Sequence, residues 1–199
     1  MHLEGFPETL SLRDGSRVSV RPMQPDDGPA LLDFFRSLPL QDRLFLREDV
    51  TKEEVIDRFV QHLDYQRVLP LLAEYEGRIV GDGTLHRSQR GWAAHVGEIR
   101  IVVDPEFQRR GLGTALARLL VKVATGVGLD KLVAQVVDNQ VGAKRAFGKL
   151  GFYPEAVLKG HVRDMHGTKR DLVILANDVS HIWETMESLV ADYSPSIEG

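Results

Sequence analysis

Apolar residues recur along this chain with two periods, and the alternation between them predicts the elements. From Thr9 to Arg21, Leu10 and Leu12, then Val18 and Val20, alternate with polar residues around Asp14-Gly15, which predicts a β-hairpin. Asp26-Asp27 supply acidic helix-start residues for Ala30 to Phe35, and Ser37 to Val50 reads as a short helix and loop. Thr51-Lys52-Glu53-Glu54 has capping-box spacing and opens a helix to about Leu63, with Val55, Ile56, Phe59, Val60 and Leu63 on one face. Val68 to Tyr75 and Ile79 to His86 form two strands joined at Glu76-Gly77-Arg78; Gly81 and Gly83 in the second mark a bulge or a close backbone approach. His95 to Val103 is a strand stopped by Asp104-Pro105, and Leu112, Leu116, Leu119, Leu120 and Val123 return to helical spacing. After Gly126 and Gly128 the pattern predicts a strand over Leu132 to Val137, a helix over Val141 to Leu150 and a strand from Phe152 to Val162. A turn at His166-Gly167 and a partner strand over Asp171 to Ala176 follow, then a helix from Ser180 to Val190.

The segment between the strand at Val103 and the helix at Leu112 carries the first chemistry. Gln108-Arg109-Arg110-Gly111-Leu112-Gly113 delivers backbone N–H groups to a helix start, where unpaired donors and the dipole favour an anion. Gly111 and Gly113 allow a phosphate to approach the backbone, and Arg109 and Arg110 add positive charge. This pattern describes a diphosphate cradle. A dinucleotide fingerprint requires a third glycine where Leu116 stands, and a phosphate-binding loop requires a lysine after Gly113, where Thr114 stands.

Composition narrows the classes further. Of 199 residues, 43% are hydrophobic and 27% charged, which supports one globular domain. The net charge of −4 gives no global field for nucleic acid. Without cysteine there is no disulfide, thiolate metal site or cysteine nucleophile, and the histidines show no metal-ligand spacing. No signal peptide and no apolar run of membrane-spanning length is read, so the expectation is a cytoplasmic protein without metal, membrane or nucleic-acid partner.

The string Gln-Arg-Arg-Gly-Leu-Gly, following a strand that ends Val-Asp-Pro, resembles the acetyl-CoA-binding motif of the GNAT N-acetyltransferases. The order of elements from about Val18 to Ala176 is also similar to that family. The resemblance implies an α/β fold with a mixed, mostly antiparallel central sheet flanked by helices. It suggests an N-terminal hairpin extension over residues 1–16, an acetyltransferase domain over 17–177, and a C-terminal helix and tail over 178–199. A second segment, Gln140 to Phe152, is similar to the family's second signature: Ala143, Gly151 and Phe152 fit. Gln140 stands where an asparagine contacts the CoA arm, unless Asn139 takes that role. Phe147 replaces the tyrosine proposed to protonate the leaving thiolate.

The implied reaction moves an acetyl group from acetyl-CoA to a primary amine by direct attack. By the resemblance, the backbone of Ile101, Val102 and Val103 meets the thioester, Gln108 to Thr114 hold the diphosphate, and Gln140 contacts the CoA arm; Phe147 is a helix core residue or stacks beside that arm, and Lys144 and Arg145 either help hold the CoA phosphates or form a solvated helix face. Glu98 stands where some members place the carboxylate that relays the amine proton, since an ammonium cannot attack a thioester. Gln135 occupies another base position and cannot serve as one, Tyr153 is a nearby candidate acid, and His95 an alternative base. Trp92 reads as a lid over an apolar edge. The favoured acceptor is a small-molecule amine or amino acid. The alternatives are a protein lysine or N-terminal acetyltransferase, and a non-catalytic acetyl-CoA sensor, for which Phe147 argues. A homodimer is compatible with the family pattern.

Overall fold

The computed structural model describes residues 5–43, 46, 48–164 and 166–179. The helix expected over Ser180 to Val190 lies outside them. Eight strands form one sheet: β1 (Glu8–Ser11), β2 (Arg17–Pro22), β3 (Val68–Tyr75), β4 (Arg78–Arg87), β5 (Val96–Val103), β6 (Lys131–Val137), β7 (Tyr153–Arg163) and β8 (Lys169–Asp178). Their spatial order is β1-β2-β3-β4-β5-β6-β8-β7, and only β5 and β6 run parallel. Among the described residues, five α-helices accompany them: α1 (Gly28–Ser37), α2 (Leu40–Arg43), α3 (Glu53–Gln61), α4 (Leu112–Gly126) and α5 (Val141–Gly148). The parallel pair needs a crossover, which α4 supplies.

Each face of the sheet buries its own apolar cluster. Helix α4 lays Leu112, Leu116 and Leu120, all fully buried, over Val18, Val20, Leu71, Leu85 and Ile99. The two glycines of β4 make this approach possible. A Cβ on Gly81 would lie 3.2 Å from Leu116 Cδ1, and one on Gly83 would lie 3.3 Å from Leu120 Cδ1. A register irregularity also occurs between Ala73 and Glu74, opposite the start of β4. On the other face, α1 and α3 pack Leu31, Phe34, Phe35 and Ile56 against Leu72 and Ile79.

The capping box expected at Thr51 does not form. Thr51 Oγ1 donates to Asp49 Oδ1 at 2.6 Å, and α3 begins one residue later than the spacing implies, after Lys52. The start of α1 is fixed by a stronger device. Arg21 holds Asp27 bidentately at 2.7 and 2.6 Å and reaches Glu74 at 2.5 Å, which ties the helix entrance to β2 and β3.

Candidate active site

Strands β5 and β6 are in register only from Val96–Lys131 to Ile99–Ala134, and beyond Ile99 they part. Asp104 donates its N–H to Val80 O at 3.0 Å across the β4 side. Antiparallel alternation then turns the backbone of Val102 toward β4, and the N–H and C=O groups of Ile101 and Val103 toward the gap. The carbonyl of Val103 accepts from Gln108 Nε2 at 3.2 Å. The gap therefore offers two N–H donors on one wall.

The loop leaving β5 is rigidly built. Asp104 Oδ1 accepts the N–H of Glu106, and its other oxygen pairs with Arg78 at 3.0 Å. The chain then takes left-handed φ at Arg109 (60°) and Gly111 (99°), on either side of Arg110. Alternation of this kind turns successive N–H groups into one concavity. None of the N–H groups from Arg109 to Thr114 donates to a described residue. Gly113 lies beside Val103, whose methyl would be 3.6 Å from an added Cβ, so the loop and the gap are neighbours. A run of unpaired N–H donors next to an open strand end fits a diphosphate with an attached arm, which is the test that acetyl-CoA sets.

The two arginines of the loop differ in what they do. Arg109 is exposed, with no ion pair to another described residue. Arg110 donates to Asp14 Oδ2 in the β1–β2 turn at 2.7 Å and stacks over the Phe107 ring at 5.0 Å. Its charge is thus already matched within the protein.

On the β6 side, Gln140 accepts the Val137 N–H through its side-chain oxygen at 2.8 Å, leaving its NH₂ as a donor. Lys144 donates to the carbonyl of Asp138 at 2.7 Å and so closes the turn into α5. Phe147 is buried, its ring edge-on to Phe152 at 5.0 Å, within the α4 core cluster. Asn139 is exposed at the turn. Tyr153 lies on the outermost strand β7, separated from β6 by β8. Trp92 is 97% exposed and covers no apolar edge, contrary to the lid expected from the sequence.

Glu98 lies on the face opposite α4, one residue before the last position of β5 that pairs with β6. Arg100 grips it through Nε at 3.0 Å and a second nitrogen at 3.3 Å. A cleft of about 590 Å³ runs past it, lined also by His62, Arg67, His86 and Val133. His95 lies at the foot of β5, where its carbonyl accepts from Asp130 and Lys131. Among the described residues no group of three metal-ligating side chains occurs, and no helix is long and apolar enough to cross a membrane.

One carboxyl on this face was not among the sequence candidates. Asp82, in register with Val102, is part-buried, and Thr84 Oγ1 donates to it at 3.2 Å. Desolvation pushes its carboxyl up to about 7 from 3.8, against the opposing effect of the Thr84 bond. The only local signal was an aspartate between two glycines in an apolar strand. Because the folded chain holds a proton there that the unfolded chain releases, stability falls as the pH rises from about 4 through 7. Asp82→Asn is expected to remove this slope. Thermal melts should place the variant roughly 4 kcal/mol above the wild type at pH 8 and level with it at pH 4. Parallel melting curves at both pH values would overturn the assignment.

Comparison with known proteins agrees with this geometry. The chain is 28% identical over 97 residues to the L-amino acid N-acetyltransferase AaaT of Escherichia coli (strain K12). That alignment covers 48% of this chain and 60% of the relative, so the chain spans less than two thirds of that protein's length. Among solved structures, the GNAT domain of S. lividans PAT superposes with a TM-score of 0.74 at 22% identity, covering 89% of this chain and 99% of that one. RimJ of Mycobacterium smegmatis in complex with CoA-disulfide gives a TM-score of 0.69 at 22% identity, over 92% of this chain and 96% of that one. The parted strands, the N–H-lined loop and the helix behind it fall within or beside residues 32–152, which match the model of the Acetyltransferase (GNAT) family. By that match and by its fold, the chain belongs to the GNAT acetyltransferase family.

Proposed function

We propose that this chain transfers an acetyl group from acetyl-CoA to the primary amine of a small molecule, with amino acids as the favoured class. The observation that carries the reading is the open end of β5–β6 beside the unpaired N–H groups of Arg109 to Thr114. Likeness to an L-amino acid N-acetyltransferase supports the choice of acceptor.

Acetyl-CoA supplies an acetyl thioester activated for transfer to an amine. The cradle N–H groups and Arg109 hold anionic oxygen, and the Gln140 NH₂ is placed to donate beside the gap. The N–H groups of Ile101 and Val103 provide fixed donors for a carbonyl oxygen that gains negative charge. Val102 contributes its side chain to the α1–α3 cluster and its backbone to the β4 ladder. Glu98, oriented by Arg100, takes the proton from an acceptor ammonium in the cleft, directly or through water.

Glu98→Gln is expected to lower turnover on an accepted amine about 100-fold while leaving the acetyl-CoA dissociation constant unchanged. Release of free CoA thiol, assayed with L-amino acids and with peptides bearing lysine and N-terminal amines, reads both points. Unchanged turnover would remove Glu98 as the base. Peptide acceptors outperforming amino acids would move the assignment to a protein acetyltransferase. The buried Phe147, with no proton to give, is the specific observation that favours a non-catalytic acetyl-CoA sensor. Binding without thiol release on any amine in the panel would support that second reading.

A further inference from the structure

The turn between β1 and β2 is docked on the cradle loop, although nearly a hundred residues separate them. Arg13 donates its backbone N–H to Arg110 O at 3.0 Å. Arg110 donates back to Asp14 at 2.7 Å, and Asp14 is itself held by the hydroxyl and N–H of Ser16 at 2.6 and 3.1 Å. The Ser16 hydroxyl is the leading influence holding the Asp14 carboxyl below its ordinary range, so it stays charged against Arg110. The turn is thus a fixed part of the cradle wall.

This docking exchanges one cation for another. Arg110 is occupied by Asp14 and Phe107. The Arg13 stem lies along Gly111, with its Cγ and Nε each 3.7 Å from where a Cβ would stand. Its side chain is exposed and makes no hydrogen bond or ion pair with another described residue. An arginine laid against the helix-start glycine brings a five-donor planar cation to the rim of the N–H concavity. We propose that Arg13 is a diphosphate-binding residue of the acetyl-CoA site, contributed by the N-terminal hairpin and acting where Arg110 cannot. The assignment rests on the cradle being the acetyl-CoA site, as argued above.

Calorimetric titration with CoA and with dephospho-CoA, which lacks the 3′-phosphate and keeps the diphosphate, tests it on the full chain. Arg13→Ala is expected to weaken both ligands about tenfold, with Arg13→Lys in between. The variant should also show a shallower dependence of affinity on salt, and its melting temperature should match the wild type, because the side chain makes no polar contact in the fold. Unchanged affinity for both ligands overturns the proposal. A loss confined to CoA overturns the diphosphate assignment. Failure of the wild type itself to bind CoA overturns the acetyl-CoA reading, a result distinct from either.

Discussion

Gly111→Trp is expected to weaken acetyl-CoA binding at least a hundredfold. Gly111 has φ of 99°, a conformation that costs an L-residue on the order of 1–2 kcal/mol. An added side chain would leave the backbone toward Arg13, whose stem is 3.7 Å from the Cβ position, and an indole there fills the space above the unpaired N–H groups. Steric filling and displaced donors act in the same direction. Gly128→Ala is the matching control: its φ is 74°, nothing lies within 4 Å of an added Cβ, and it sits at the far end of α4. That variant should bear similar backbone strain and keep full affinity. Calorimetry on the three proteins decides the matter; affinity for Gly111→Trp within threefold of the wild type would mean that the N–H run does not seat the ligand.

The largest expected loss of stability is at Gly97, near the start of β5. A Cβ there would lie 2.7 Å from Leu129 Cδ1, 2.9 Å from Leu132 Cδ2 and 3.0 Å from Leu85 Cδ1. These are methyl ends, but all three leucines are buried in one cluster, so moving one presses on its neighbours. Gly97→Val is expected to cost about 3–4 kcal/mol, at or above the upper end for overpacked cores. Gly142→Ala in α5, with nothing within 4 Å of its Cβ position, should be neutral or stabilise by up to about 1 kcal/mol. Urea unfolding of both variants gives the comparison. A Gly97→Val midpoint equal to the wild type would show that the leucines repack without cost.

These cases also show what a sequence can and cannot disclose. The β3–β4 hairpin and helix α4 were legible because their signals are local: alternation around Glu76-Gly77, and leucines at helical spacing. The cradle was legible for the same reason, since its donors are consecutive residues. The reason for Gly97 was hidden, because the side chains that exclude a Cβ come from Leu85, Leu129 and Leu132 on three other segments. The pairing of Arg110 with Asp14 was hidden likewise, so both loop arginines read as free cations. At Thr51 a local rule gave the wrong partner: the hydroxyl donates to Asp49 in the preceding turn, and Lys52 takes the N-cap position. Asp82 shows the same limit for electrostatics: its desolvation comes from packing that no window of sequence contains.

The short ladder between β5 and β6 has a mechanical meaning. Among the described strands, the ladder from Val96–Lys131 to Ile99–Ala134 joins the five-strand meander to the three C-terminal strands, and the apolar cluster beneath α4 spans both. The ladder is brief but the core under it is continuous: Leu116 and Leu120 of α4 share one cluster with Leu132, Phe147 and Phe152, so the two half-sheets stand as one packed body that is split only beyond Ile99. Helix α4 packs on β4 and β5 and also touches α5, which follows β6, and so bridges the two halves. Whatever enters between the free ends meets walls whose spacing the core has already set.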